Sequence, residues 1–255
     1  LEISELCKSR EGRTVEYLRI GKIDGTPRHR VLLTCRHHAC EMMANYVLEG
    51  IIRSVLDLGE VGRWFCSRVE FFIVPFMDKD GVEDGDQGKN RKPHDHNRDY
   101  AGSSMYPSVR SLRNRIPIWS DGKLRFALDL HNPYIRGTHN EVIYFVGNPN
   151  ETIWRQVGCF SRILESVQNG PLQFDKNNNL PFGEAWNTAE NYKSGKSCSR
   201  WAGELKGISF ASTLEIPYAN ASGEQVTAKT ARLFGVDLAR ALRVYLEGHP
   251  YQPNE

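Results

Sequence analysis

The stretch Val31-Leu-Leu-Thr-Cys-Arg-His-His-Ala-Cys-Glu41 decides the fold. Its apolar run, Val31 to Cys35, is too short for a helix and reads as a buried strand. The strand delivers the chain into His37, His38 and Glu41. Met42, Met43, Tyr46, Val47, Ile51, Val55 and Leu58 then recur at three- and four-residue steps. That spacing predicts an amphipathic helix over 41–58, stopped at Gly59. His38 and Glu41 stand three apart, so on a tight turn or an opening helical turn both side chains point the same way. An imidazole and a carboxylate converging beyond a strand end supply two of the three protein ligands of a catalytic zinc site, which keeps one position open.

Working outward, Thr14 to Ile20 alternates as a strand, and the turn residues Gly25-Thr26-Pro27 suggest a hairpin into the Val31 strand. Residues 2–9 read as a short helix. Val69–Met77, Phe126–Leu130, Val142–Val146 and Ile208–Ile216 are β-branched, aromatic or apolar runs of strand length. Ser108–Ile116 predicts a short basic helix ended by Pro117, and Thr152–Val167 and Thr227–Leu246 predict amphipathic helices. Two polar tracts, 78–100 and 169–199, interrupt this order as functional loops or disorder. Strands alternating with helices define the α/β class: one domain over 1–255, its mixed, mostly parallel sheet sandwiched between helices.

Length and charge agree with that class. A chain of 255 residues with 33 basic and 31 acidic side chains carries a net charge of +2, so no global field draws in nucleic acid or a membrane surface. No apolar run reaches the roughly 20 residues of a membrane span. The six cysteines are irregularly spaced in a large chain, unlike a stapled secreted fold, which points to a reducing, cytoplasmic compartment. Leu1 is not a native start, and the sequence leaves open a segment ahead of it. Oligomeric state is not legible.

In sheets of this class ligands bind beyond the carboxyl ends of the strands. The strand ending Asp129-Leu-His131 places His131 there as a third metal ligand. The strand Phe210-Ala-Ser-Thr-Leu-Glu-Ile216 buries Glu215, costly unless paired or functional, and a carboxylate beside a metal can activate water. In the polar loop, Arg91, Asn97 and Arg98 could clamp a carboxylate and polarise a carbonyl. Asp95 could hold the far ring nitrogen of a metal-bound histidine. His94 and His96 read as loop-surface or supporting residues.

With those residues in place, the chain resembles the zinc metallocarboxypeptidases of the carboxypeptidase A-like family. The pieces are Ser9-Arg-Glu-Gly-Arg13, His38-Ala-Cys-Glu41, Asp80-Gly-Val82 with Asp95-His-Asn-Arg-Asp-Tyr100, Asp129-Leu-His131 and Thr213-Leu-Glu215, in the family's order. The resemblance implies one Zn²⁺ held by His38, Glu41 and His131, with Asp95 orienting His38 and His37 left out of the ligand set. It implies Glu215 as the general base and Arg91 as the partner of the oxyanion. Asn97 and Arg98 would bind the terminal carboxylate of a peptide or protein substrate, and Tyr192 would cap it. Arg200, fifteen positions before Glu215, would favour an acidic terminal side chain. Two other readings share the residues: a deacylase of N-acyl amino acids related to aspartoacylase and succinylglutamate desuccinylase, and a non-catalytic binder of C-terminal tails. Those deacylases carry Gly-Asn where this chain has Ala39-Cys40, which favours the peptidase.

Overall fold

The computed structural model describes residues 1–87 and 92–248, so Arg91 lies outside the described residues. A seven-stranded sheet runs in the order β1-β2-β4-β3-β5-β7-β6. Its strands are β1 (Glu2–Lys8), β2 (Thr14–Gly21), β3 (His29–Cys35), β4 (Val69–Val74), β5 (Leu124–His131), β6 (Tyr144–Val146) and β7 (Phe210–Glu215). The central strands β4, β3, β5 and β7 are mutually parallel, while β1, β2 and β6 run antiparallel to their neighbours. Every residue of β3, β4 and β7 is buried, which is why these strands read as continuous apolar runs rather than alternating ones. A two-stranded ribbon, β8 (Asn220–Ala221) with β9 (Glu224–Gln225), lies beyond β7.

Helices cover both faces. α1 (Met43–Leu56), α2 (Glu60–Arg68), α5 (Glu151–Val167) and α7 (Ala228–Gly248) share one core with the sheet. At its centre the rings of Phe126 and Phe210, on β5 and β7, stack 4.0 Å apart, with Phe160 and Tyr245 packed against them. α4 (Pro107–Ser120) and α6 (Cys198–Ala202) cover the other face, over Leu32, Phe72 and Val74. α3 (Lys79–Asp84) is a short helix just after β4. α1 and α7 cross at two glycines. A Cβ on Gly50 would sit 2.1 Å from the Arg232 carbonyl oxygen, and one on Gly235 would sit 2.1 Å from that of Val47. Only glycine admits so close a backbone approach.

Several expectations are corrected. Residues 2–9 form the edge strand β1, held by pairing with β2, rather than a helix; in it only Leu6 is buried, so no periodicity announces the strand. The hairpin into β3 does not form, because β4 is inserted between β2 and β3. The helix expected over 41–58 begins at Met43, and α2 follows Gly59. Pro117 does not end α4, which runs on to Ser120. That last turn is clamped from outside: the Trp119 indole donates to Glu70 at 2.9 Å, and Arg30 donates to the Trp119 carbonyl.

Candidate active site

The parallel strands end at one edge, and the polar residues expected there meet. β3 ends at Cys35, and the chain turns through His37 and His38 so that the Glu41 amide donates to the His38 carbonyl at 3.2 Å. β5 ends at His131 itself, and β7 ends at Glu215, paired in register with His131. Adjacent strands stand about 4.8 Å apart, so the register alone seats Glu215 beside the His131 side of the site.

His38 Nδ1 lies 2.8 Å from Glu41 Oε1, His131 Nδ1 lies 2.7 Å from Glu41 Oε2, and the two Nδ1 atoms are 3.2 Å apart. All three residues are buried. Each imidazole is held from behind by an aspartate: His38 Nε2 lies 3.1 Å from Asp95 Oδ1, and His131 Nε2 lies 2.7 Å from Asp129 Oδ2. Burial opposes ionisation of both aspartates, yet their histidine partners outweigh it and hold both carboxyls well below the usual range. An ionised carboxylate only accepts hydrogen bonds, so each Nε2 carries the donated hydrogen and each Nδ1 turns a lone pair inward. Two lone pairs and a carboxylate then face one another with no hydrogen between them. A cation resolves that arrangement. Tetrahedral donors about 2.0–2.1 Å from zinc sit about 3.3 Å apart, so these residues fit the ion. Burial lowers the proton affinity of both imidazoles. Glu41, with Asp95 for His38 and Asp129 for His131, outweighs burial and raises it, which shows the same appetite for positive charge.

A second group, His37 with Asp129 and His131, also brings ligand-type atoms within 4.8 Å of one another. Its atoms are engaged differently. His37 Nε2 meets the Tyr100 hydroxyl at 2.7 Å, and His37 Nδ1 lies 2.8 Å from Asp129 Oδ1, its N–H tilted off the oxygen. Asp129 Oδ1 also accepts from the Thr34 hydroxyl at 2.8 Å. From the sequence His37 stands outside the ligand set, and Asp129 and Tyr100 figure only within motifs; their contacts appear because the topology brings β3, β5 and the polar loop together. Asn132 was missed. Its amide donates to Glu41 Oε2 at 3.1 Å, and its side chain bridges Ala44 N and the Ile216 carbonyl, joining α1 to the end of β7.

The site opens into a cleft of about 1110 Å³ whose walls include Asn97, Arg98, Tyr144, Trp186, Tyr192 and Glu215. The 133–140 segment forms the opposite rim, with Tyr134 65% and Ile135 63% exposed. Asn97 is buried, its amide nitrogen 3.1 Å from His131 Nε2 and its oxygen accepting from Cys198 N at 2.8 Å. Arg98 lies 3.8 Å from Asp95 and donates to the Asn191 and Asn97 carbonyls. The Tyr192 hydroxyl donates to Asn187, and its ring centre lies 4.7 Å from the Arg98 guanidinium and 4.3 Å from that of Arg200. Arg200 is absent from the cleft wall and stacks between Tyr192 and Phe182. No carboxylate of the described residues pairs with it. His96 stacks on Tyr106 at 3.5 Å and approaches Asp78, while His94 meets the Tyr106 hydroxyl through its backbone; among the described residues neither joins a candidate metal group. Two other quoted motifs serve the scaffold. Ser9 donates to Asp80 at 2.6 Å, and Arg13 donates to the Asp80 carbonyl and to Asp84.

Residues 1–122 match the zinc carboxypeptidase family. That match contains His38, Glu41, Asp95, Asn97 and Arg98 and stops short of His131 and Glu215, which the fold adds. Over 181 residues the chain is 24% identical to cytosolic carboxypeptidase 2 of Macaca fascicularis, covering 68% of this chain and 21% of that protein. The human cytosolic carboxypeptidase 2 is likewise 24% identical over 181 residues, with 20% of its length covered. The chain thus spans about a fifth of the length of these relatives. Among solved structures, a metallo-carboxypeptidase from Burkholderia cenocepacia superposes with a TM-score of 0.77 at 22% identity, covering 97% of this chain and 65% of that one. A metallo-carboxypeptidase from Pseudomonas aeruginosa, solved with (2-guanidinoethylmercapto)succinic acid, gives 0.73 at 18%, covering 96% and 64%. Over residues 1–122 the chain is similar in sequence to the zinc carboxypeptidases, and over nearly its whole length it is similar in fold to solved metallo-carboxypeptidases.

Proposed function

We propose that this chain is a zinc metallocarboxypeptidase that hydrolyses the last peptide bond of a peptide or protein. One observation carries the reading: two aspartate-backed imidazoles and a buried glutamate turn acceptor atoms onto one point, beside Glu215, at the mouth of a large cleft. His38, Glu41 and His131 would hold a single Zn²⁺, which when bound polarises the scissile carbonyl and acidifies water. Glu215 takes the proton of the attacking water and passes it to the departing amine. Arg91, by resemblance, steadies the charge that develops on the carbonyl oxygen. Asn97 and Arg98 receive the terminal carboxylate, and Tyr192 closes over the bound end.

The cleft volume and the exposed rim suit a polypeptide better than a small N-acyl amino acid. Arg200 supports a preference for acidic terminal residues, because it is a cation without a carboxylate partner among the described residues. Tyr192 covers it, so reaching a substrate side chain requires that ring to move aside. A cytoplasmic location is part of the same proposal: the relatives are named cytosolic, and among the described residues no helix is long and apolar enough to cross a membrane.

The test is a peptide panel with free and amidated C-termini, plus N-acyl amino acids. Zinc-dependent release of the terminal residue from free ends alone supports the proposal. Turnover of N-acyl amino acids alone would make the chain a deacylase, and tight binding of free ends without turnover would make it a tail-binding module.

A further inference from the structure

The structure assigns His37 a further part: we infer that it is a positioning residue for the His131 ligand, acting through Asp129, with Tyr100 holding the far side of its ring. This rests on the metal reading above.

His37 is wholly buried on the turn after β3, and both of its ring nitrogens face polar atoms, Nδ1 towards Asp129 and Nε2 towards Tyr100. Its plane lies within 10° of that of His131, with ring centres 5.7 Å apart, and Asp129 bridges the two. The hydrogens along this line follow from which groups can donate. The Asp129 carboxylate sits between the two rings, Oδ1 2.8 Å from His37 Nδ1 and Oδ2 2.7 Å from His131 Nε2, so as their shared acceptor it draws the hydrogen of each ring to the side facing it, that of His37 tilted off the line. That leaves His37 Nε2 as an acceptor, and the Tyr100 hydroxyl, 2.7 Å away, donates to it. Thr34 supplies one more donor to Asp129. Polarity therefore runs one way, from Tyr100 through His37 and Asp129 to His131, and ends with the Nδ1 lone pair aimed at the metal point.

Without His37, Asp129 keeps its charge in a buried place with one partner fewer and is freer to turn from His131. Partners behind a metal-bound histidine fix its tautomer and orientation, and losing one costs about 10- to 100-fold in metal affinity. An aspartate behind the ligand is half of this device; behind that aspartate stand a second imidazole and a tyrosine.

Zinc affinity of the stripped protein, measured against a chromophoric chelator, tests the inference without relying on turnover. His37→Phe fills the ring space and donates nothing, whereas His37→Asn places an amide N–H near the position of Nδ1 but leaves a gap. We expect His37→Phe to weaken zinc binding 10- to 100-fold and His37→Asn to stay within about threefold of the parent. A packing role reverses that order and would overturn the inference, as would unchanged affinity in both. Tyr100→Phe, a minimal deletion, should weaken zinc by about threefold or more, and unchanged affinity there removes Tyr100 from the line. Two zinc ions per chain, falling to one in His37→Phe, would make His37 a ligand in its own right and overturn the positioning role. His38→Ala serves as the control. If it keeps parental affinity, the metal reading has failed; if it loses zinc while His37→Phe does not, only this inference has.

Discussion

Two buried charged clusters sit on the same sheet and differ in kind. Around Glu70 on β4, every acceptor meets a donor: Arg19 Nε at 2.7 Å and Trp119 Nε1 at 2.9 Å on one oxygen, and Arg30 Nε at 2.9 Å on the other. Around Glu41, the nearest partners are two imidazole nitrogens that present lone pairs once Asp95 and Asp129 have taken the hydrogens. The Glu70 cluster is complete within the protein, while the Glu41 cluster is complete only with a cation. Burial of charge alone does not mark a functional site, since both carboxylates are wholly buried. The mismatch of donors and acceptors does.

That contrast can be broken most forcefully at Glu215. Glu215→Gln should lower kcat for peptide hydrolysis by about 10²- to 10⁴-fold while bound zinc, read by elemental analysis, stays at the parental level. Retained turnover would remove Glu215 as the base. A paired comparison comes next. Glu70→Gln, leaving two arginines poorly compensated, should cost about 3 kcal/mol in denaturant unfolding and leave zinc stoichiometry intact. His131→Ala should lose zinc, and because it leaves Asp129 and Glu41 buried with one partner fewer, zinc stoichiometry rather than unfolding separates it from Glu70→Gln. If both variants lose both properties, the two clusters are not separable. Smaller is the effect of Arg200→Ala, expected to lower kcat/KM for Glu-terminated peptides about 10- to 100-fold, with Phe- and Lys-terminated peptides spared. Equal loss on all three ends would sink the acidic preference.

The smallest effect lies at the other end of β3. His29 is pushed down to about 4, first by burial and then by the charges of Arg125 and Arg28. Its lowered value means the unfolded chain binds the proton more readily. Its contribution is therefore fully present above about pH 6.5 and is lost as the pH falls towards 4, on the order of 2 kcal/mol. His29→Gln should flatten that part of the stability profile, and thermal unfolding from pH 7 to pH 4 would show whether it does.

What the sequence made legible follows from where its signals arise. β3, β5, β7, α1, α5 and α7 bury long apolar faces, and burial of that kind writes itself into spacing. His38, Glu41, His131 and Glu215 were legible because all stand at or just beyond strand ends, where a sheet of this class binds its ligand. β1 was misread because an edge strand with one buried residue owes its conformation to a partner distant in sequence. The hairpin failed for a related reason: strand adjacency is set by which faces need covering, and β4 outcompeted β3 for β2. The polar tract 78–100 looked structureless because polar contacts leave no period, although Asp78, Asp80, His96, Asn97, Asp99 and Tyr100 are all buried in it. The contacts of His37, Asp129 and Asn132 stayed hidden on the same ground, since they exist only once three segments meet.

The glycine contact between α1 and α7 has a consequence far from where it sits. α1 begins two residues after Glu41, so the crossing at Gly50 and Gly235 works as a fulcrum for the arm that carries that side chain. A single methyl group on Gly235 would meet the Val47 carbonyl and force the two helices apart. The far end of that arm would then swing Glu41 relative to His131, which is anchored to the sheet instead. A site tuned to tenths of an ångström thus has part of its tolerance set by two missing side chains where α1 crosses α7.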